Sequence, residues 1–435
     1  METIAKQQAA RLLLKFSGVG QGLCVPNHLA LMNALREVVP TWDFTEEALS
    51  SDCEIGDHCV AHVSIAFHAP LCYNINSIYT EEPMMGLSTA SAVCSLLADI
   101  LETHISNSAN PIALHAGAFV MGGKLIAVSG PRRAGKSTLI SRLCAEPDVQ
   151  IYCDDVLPVN PSGHGIALGL APRLRLPLPK LASPVFRQHV QQHLGPHDER
   201  YGYLCSANVA AHGTTHPLAA LIILDRRAQA TNAHFCELNE DDALFYALQQ
   251  NMGNFANPQE ALLRTQALLG NVRCLRLVYH DLEDAVALLR QAFGQSAEPY
   301  TNLPVQPAQA WQPETARAAE PIRAKQVFAR APGAAVRRIG NSTFLWLASE
   351  NSVWRLNTVA EAVWALLETP GSAEELADVL GEVFVQVPKA QLEKDIAGLM
   401  AVMKEEGFCS ELIKSKTRPV DSWALRGMRS AAYLN

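Results

Sequence analysis

The run Gly130-Pro131-Arg132-Arg133-Ala134-Gly135-Lys136-Ser137 fits the pattern G-x-x-x-x-G-K-[ST] and lies between an apolar segment, Leu125 to Val128, and a helix-forming stretch that begins at Lys136. A strand, a glycine loop and a helix in that order leave the chain few ways to fold. The glycines let the backbone approach an anion closely, and several N–H groups at the helix N-terminus face the same point. The pattern predicts a phosphate cradle formed by Gly130, Arg133, Ala134, Gly135, Lys136, Ser137 and Thr138. Lys136 is placed to reach the β- and γ-phosphates of ATP, and the Ser137 hydroxyl to ligate Mg²⁺.

One helix further on, the short strand-like run Ile151-Tyr152-Cys153 ends in Asp154-Asp155. Two adjacent carboxylates at a strand end suit phosphoryl transfer, since one can face Mg²⁺ while the other accepts a proton from an attacking hydroxyl. A solvated acidic turn is the plainer alternative for the pair. Asp225, which ends the apolar run Leu218 to Leu224, has the form of a Walker-B carboxylate, or of a strand-end residue opening a turn with Arg226 and Arg227. His115 lies on the run Ile112 to Gly117, upstream of the loop. Arg173 and Arg175 alternate, so an extended backbone puts both on one face, where they stabilise phosphoryl charge or simply meet solvent. Arg132 and Arg133 carry the same two readings.

Length and composition bound the rest. A chain of 435 residues exceeds what one core usually serves, and 49% apolar with 18% charged residues describes an ordinary globular protein. A net charge of −8 argues against a general nucleic-acid binder. No apolar run reaches the roughly 18 residues of a membrane span, and the first residues lack a signal-peptide core, so a cytoplasmic protein is expected. Eleven cysteines without a C-x-x-C pair suggest free, mostly buried thiols. Cys53, His58, Cys59 and His62 are of zinc-binding type, but their spacing fits no zinc template.

The chain divides by pattern into an N-terminal α+β domain of unassigned role (1–105), an α/β domain with strands alternating with helices (106–295), a Pro/Ala-rich linker (296–325), a compact C-terminal domain (326–412) and a tail (413–435). In the C-terminal domain, Phe344 to Ala348 and Ser352 to Leu356 read as a hairpin. Helices are expected at Thr358 to Leu367, Ala373 to Leu380 and Lys389 to Glu406. Ser372 with Glu375 forms a capping-box signature, and Gly407 closes the last helix.

Residues 112 to 225 resemble the bacterial HPr kinase/phosphorylase and its relatives: His115 about fifteen residues before the loop, one helix, then a strand ending in Asp154 and Asp155. The resemblance implies a P-loop kinase core related to the ATP-dependent phosphoenolpyruvate carboxykinases, and a homo-oligomer. It implies Asp155 as catalytic base, His115 as its hydrogen-bonding neighbour, Lys136 on the phosphates, Ser137 and Asp154 near the metal, and a structural Asp225. The Glu-containing glycine-rich signature of true HPr kinases has no counterpart; Leu170 to Pro179 stands in its place, which implies another acceptor than HPr.

From Gly333 to Phe408 the chain is similar to PqqD-like peptide-binding domains, small winged-helix-type modules, in the hairpin ending Trp354-Arg355-Leu356-Asn357 and the following Ala360-Glu361-Ala362-Val363-Trp364. Such domains recruit the leader of a ribosomally made precursor peptide by strand addition and a helix-side groove. Together the two resemblances imply an ATP- and Mg²⁺-dependent kinase acting on a Ser or Thr hydroxyl of a recruited peptide or small protein. A small-molecule kinase with a regulatory C-terminal domain, and a non-catalytic nucleotide-gated peptide carrier, are the alternatives.

Overall fold

Strand pairing in the computed structural model is described for residues 11–49, 55–56, 58–66, 72–109, 112–131, 134–206, 208–295, 304–308, 319, 322–350, 352–412 and 432–434. The chain forms two units: 1–237 with 252–254 and 271–307, and 238–251 with 255–270 and 308–435.

The centre of the first unit is the strand Thr215–Arg226, which pairs in parallel with Lys124–Ser129 on one side and Arg273–Tyr279 on the other. Leu125, Ile126, Ala127 and Val128 have no exposed surface, nor do Ile222, Ile223 and Leu224. Continuous apolar runs of this kind are what a parallel strand covered on both faces requires. Gly117–Met121 and then Gln150–Cys153 extend the sheet antiparallel. Near its N-terminal end the central strand also pairs with His164–Ile166, which leads to Val156–Val159 and Ile112–His115. Helix Lys136–Leu143 follows the glycine loop, and Leu139, Ile140 and Leu143 bury against Phe119, Ile126 and Val128 in one core.

Residues of the expected N-terminal domain belong to the same unit. They form a six-stranded sheet in the spatial order 44–49, 11–16, 22–26, 59–66, 72–77, 84–87, with helices Leu29–Val38 and Thr89–Ser106. Of these strands the sequence marks only the run Val60 to Ile65, which falls within 59–66. The others are shorter, and 22–26, 44–49 and 72–77 carry Glu, Asn or Cys among their apolar positions, which blurs the period of two. The expected linker is likewise not wholly without structure: Val305–Gln306 pairs in parallel with His234–Glu237. Among the described residues no helix is long and apolar enough to cross a membrane. Cys24, Cys59, Cys144, Cys153, Cys236 and Cys409 are buried thiols, and Cys53 lies outside the described residues.

In the second unit, strands Ala334–Ile339, Ser342–Leu347 and Val353–Leu356 form an antiparallel sheet, followed by helices Thr358–Leu366, Ala373–Gly381 and Lys389–Glu405. The expected capping box is present: the Ser372 hydroxyl accepts from the Glu375 N–H while the Glu375 carboxylate accepts from the Ser372 N–H. Gly407, at φ +77°, follows the last helix. Leu345, Trp354, Val363, Leu376, Ile396 and Met400 share the core.

Helices Glu240–Gln249 and Pro258–Leu269, placed by sequence within 106–295, belong to this second unit. The reason is a buried ionic cluster. Arg355 donates to Asp242 at 2.6 Å, to Asp241 at 2.8 Å and, through Nε, to the Ser342 hydroxyl at 2.6 Å. Both carboxylates sit in the first turn of their helix, where the dipole favours negative charge. Removing one partner of a buried pair strands the other charge. We therefore expect Arg355→Met to destabilise the second unit by about 3–5 kcal/mol, read as a shift in urea-induced unfolding followed by tryptophan emission. A shift within error of zero would show that the cluster does not hold the helices in place.

Candidate active site at the Gly130–Ser137 loop

Strand register explains why His115 and Asp155 meet. His115 stands opposite Val156 in the antiparallel pair of Ile112–His115 with Val156–Val159, while Cys153 stands opposite Ala118 in the neighbouring pair. Both chains thus turn from one pairing to the next at the same level, at Ala116 on one and at Asp154-Asp155 on the other. His115 Nε2 lies 3.1 Å from Asp155 Oδ1. The His115 carbonyl accepts from the Ser129 hydroxyl at 2.7 Å, which ties this corner to the strand leading into the loop.

The loop is shaped by two glycines. Gly135 has φ +99°, and a Cβ there would stand 2.5 Å from the Tyr279 hydroxyl; one on Gly130 would stand 2.9 Å from the Ala134 Cβ. The Tyr279 hydroxyl in turn donates to the Ala134 carbonyl at 2.6 Å, bracing the loop from the neighbouring parallel strand. Ser137 and Thr138 follow in the first turn of helix Lys136–Leu143. Arg132 and Arg133 lie outside the described residues.

Lys136 reaches from that first turn to within 3.6 Å of Asp155 Oδ1, and its side chain is 11% exposed. Its ammonium nitrogen is buried with no hydrogen-bond partner among the described residues. Burial pushes its pKa down, and the charges of Asp155 and Asp154 push back. A buried ammonium with unused donors is costly unless anionic oxygens complete it.

The two carboxylates differ. Asp155 is held down to about 2, foremost by the His115 hydrogen bond, with Lys136 adding to it against the opposing effect of burial. Asp154 is pushed up to about 6 by burial and then by the charge of Asp155. Its Oδ2 accepts from the Arg173 N–H at 2.9 Å. Only one carboxylate of the pair is therefore held firmly ionised.

Of the two alternating arginines, Arg173 faces this corner. Its guanidinium donates to Cys94 Sγ and lies 5.3 Å from the centre of the Tyr201 ring, whereas Arg175 is exposed. Cys94 belongs to helix Thr89–Ser106, whose Ser88 and Ser91 hydroxyls both donate to Asp198 at 2.6 Å. The N-terminal residues thus support the wall of the site, a role no motif in 1–105 announces. Asp225 is engaged elsewhere, accepting from Arg227 Nε at 3.0 Å with Arg276 Nε at 3.7 Å. Tyr279 and Cys94 were missed by sequence reasoning; their only signal is a place at a strand end and on an apolar helix.

Replacing His115 by Ala removes the largest influence that lowers Asp155. Its carboxyl should then titrate nearer the ordinary value of about 3.9, as followed by carbon-13 NMR of the aspartate carboxyls. Because the folded-state value is depressed, the interaction stabilises the wild type above the unfolded value and is lost as pH falls toward the folded one. The variant should show a flatter decline of stability through that acid window. Identical acid limbs would mean that the His115 contact does not set the Asp155 charge.

Residues 345–408 match the family model of the coenzyme PQQ synthesis protein D (PqqD), beginning at Leu345 rather than at Gly333. No curated protein matched the chain. The second unit therefore carries a PqqD-like domain.

Proposed function

We propose that the chain is an ATP- and Mg²⁺-dependent kinase of the HPr-kinase-like type, which phosphorylates a Ser or Thr hydroxyl of a peptide or small protein recruited by its PqqD-like domain, in the modification of a ribosomally made precursor. The observation that carries the nucleotide half is the buried, uncompleted ammonium of Lys136 beneath a loop whose glycines admit no Cβ. The PqqD match carries the peptide half.

The residues present fit the nucleotide. Gly130, Ala134, Gly135 and Lys136 would hold the phosphates, with Thr138 beside them; Ser137 and Asp154 would hold Mg²⁺, which needs few protein ligands when phosphate oxygens complete its shell. Gly135, Thr138, Ala182, Arg226 and His280 line a groove next to the loop, where the nucleoside end would lie. ATP, when bound, supplies the phosphoryl group.

Asp155 orients the acceptor hydroxyl and takes its proton, and His115 holds that carboxylate in place. A carboxylate with so low a pKa is a weak base. The loose transition state of phosphoryl transfer suits it, because the proton needs to leave only as the new bond forms. Lys136 compensates the charge that develops beside it. Asp225, already neutralised by two arginines, takes a structural part.

The test is mass spectrometry of Ser- and Thr-bearing peptides incubated with enzyme, ATP and Mg²⁺. A phosphate-sized mass gain is expected, reduced about 10²–10⁴-fold in Asp155→Asn, with nucleotide binding retained in that variant and lost in Lys136→Ala. Absence of nucleotide binding by the wild type would overturn the reading, and full turnover by Asp155→Asn would remove the assigned base.

A further inference from the structure

Both faces of the two strands Ser342–Leu347 and Val353–Leu356 are buried. Leu345, Leu347, Trp354 and Leu356 point into the core shared with the three following helices. On the other side Ser342 and Arg355 are bonded to Asp241 and Asp242. What such a sheet can still offer an extended partner is a strand edge, with its unpaired N–H and C=O groups.

The edge of Val353–Leu356 is taken by the chain itself. Residues 432–434 run parallel to it, with Trp354 opposite Ala432, Arg355 opposite Tyr433 and Leu356 opposite Leu434. Three residues in parallel pairing make a short, weak ladder that a longer strand can displace. The segment 413–435 is basic, with Lys414, Lys416, Arg418, Arg426 and Arg429 against Asp421 alone, in a chain whose net charge is −8. Helix Ala373–Gly381 of the same unit carries Glu374, Glu375 and Asp378 and no basic residue, a complementary sign.

We propose that residues 432–434 are an internal stand-in for the recruited peptide: the C-terminal segment occupies the strand edge at which the PqqD-like domain takes its partner, and capture requires its displacement. This rests on the peptide-recruiting half of the function proposed above and not on the nucleotide half. A segment tethered in cis competes at an effective concentration of the order of 1 mM. Even an intrinsic dissociation constant of about 100 μM would then weaken capture of an external peptide about tenfold.

A fluorescein-labelled peptide of the sequence 413–435 is titrated into the full chain and into the full chain carrying Ala432→Pro, Tyr433→Pro and Leu434→Pro, which remove the strand N–H donors. The labelled peptide should bind the triple variant about tenfold more tightly than the wild type. Amide exchange at 353–356 should be faster in the variant and slow again when peptide is added. The peptide bearing the same three prolines should not bind. Equal binding to both chains, binding to neither, or undiminished binding of the proline peptide would each overturn the proposal. Nucleotide binding measured on the same two samples separates this result from a failure of the kinase reading.

Discussion

The parallel pairing of Lys124–Ser129 with Thr215–Arg226 is the constraint from which the site follows. Ser129 stands opposite Ile223, so the chain leaves the sheet at Gly130 with Leu224 immediately beneath it. No side chain fits there, and the helix that follows Ala134 and Gly135 has Lys136 as its first residue. The next parallel strand brings Tyr279 under the same loop, and its hydroxyl fixes the Ala134 carbonyl. Both ends of the loop are thus fixed against the sheet, Gly130 by Leu224 and Ala134 by Tyr279.

Electrostatics builds on that geometry. Lys136 cannot leave the corner, and the cost of its burial is offset in part by Asp155 at 3.6 Å. Asp155 is half exposed and stays charged because His115 bonds to it, while burial and then the charge of Asp155 make Asp154 resist ionisation, against the opposing effect of the Arg173 N–H it accepts from. A divalent cation would reverse that resistance, since a nearby positive charge favours the ionised carboxylate. The two aspartates are therefore unlike, one held down to about 2 and the other pushed up to about 6, a difference that two equivalent aspartates in a solvated turn would not show.

Much of this corner was legible in the sequence because its determinants are local. The glycine pattern, the strand before it and the paired aspartates one helix later lie within about a tenth of the chain, and the structure brings His115, Lys136 and Asp155 together. The capping box at Ser372 and the strand end at Trp354 to Leu356 were equally local. What escaped depends on long-range pairing. Nothing near Asp241 or Asp242 indicates that Arg355 completes them more than a hundred residues later, and Cys94 reaches Arg173 from the helix Thr89–Ser106. Val305 and Gln306 form a strand only because His234–Glu237 offers an edge, in a segment whose prolines otherwise spell an extended chain.

The Arg355 cluster also alters how the PqqD-like domain is joined to the rest of the chain. On the sequence alone, the Pro-rich segment is the sole connection, and capture would be governed by a flexible tether. With Glu240–Gln249 and Pro258–Leu269 built into the second unit, the chain also passes between units at 237–238, 251–252, 254–255 and 270–271. Such interleaving makes the domain a part of the folding unit that contains those helices and not an appended module. Burying a triad of one arginine and two carboxylates is a poor route to net stability compared with apolar packing, but it is strongly selective, because any other docking of the hairpin leaves charges unpaired. Charge pairing of this kind fixes which face of the hairpin is covered, and by covering it leaves strand addition along an edge as the remaining way for an extended peptide to join the sheet.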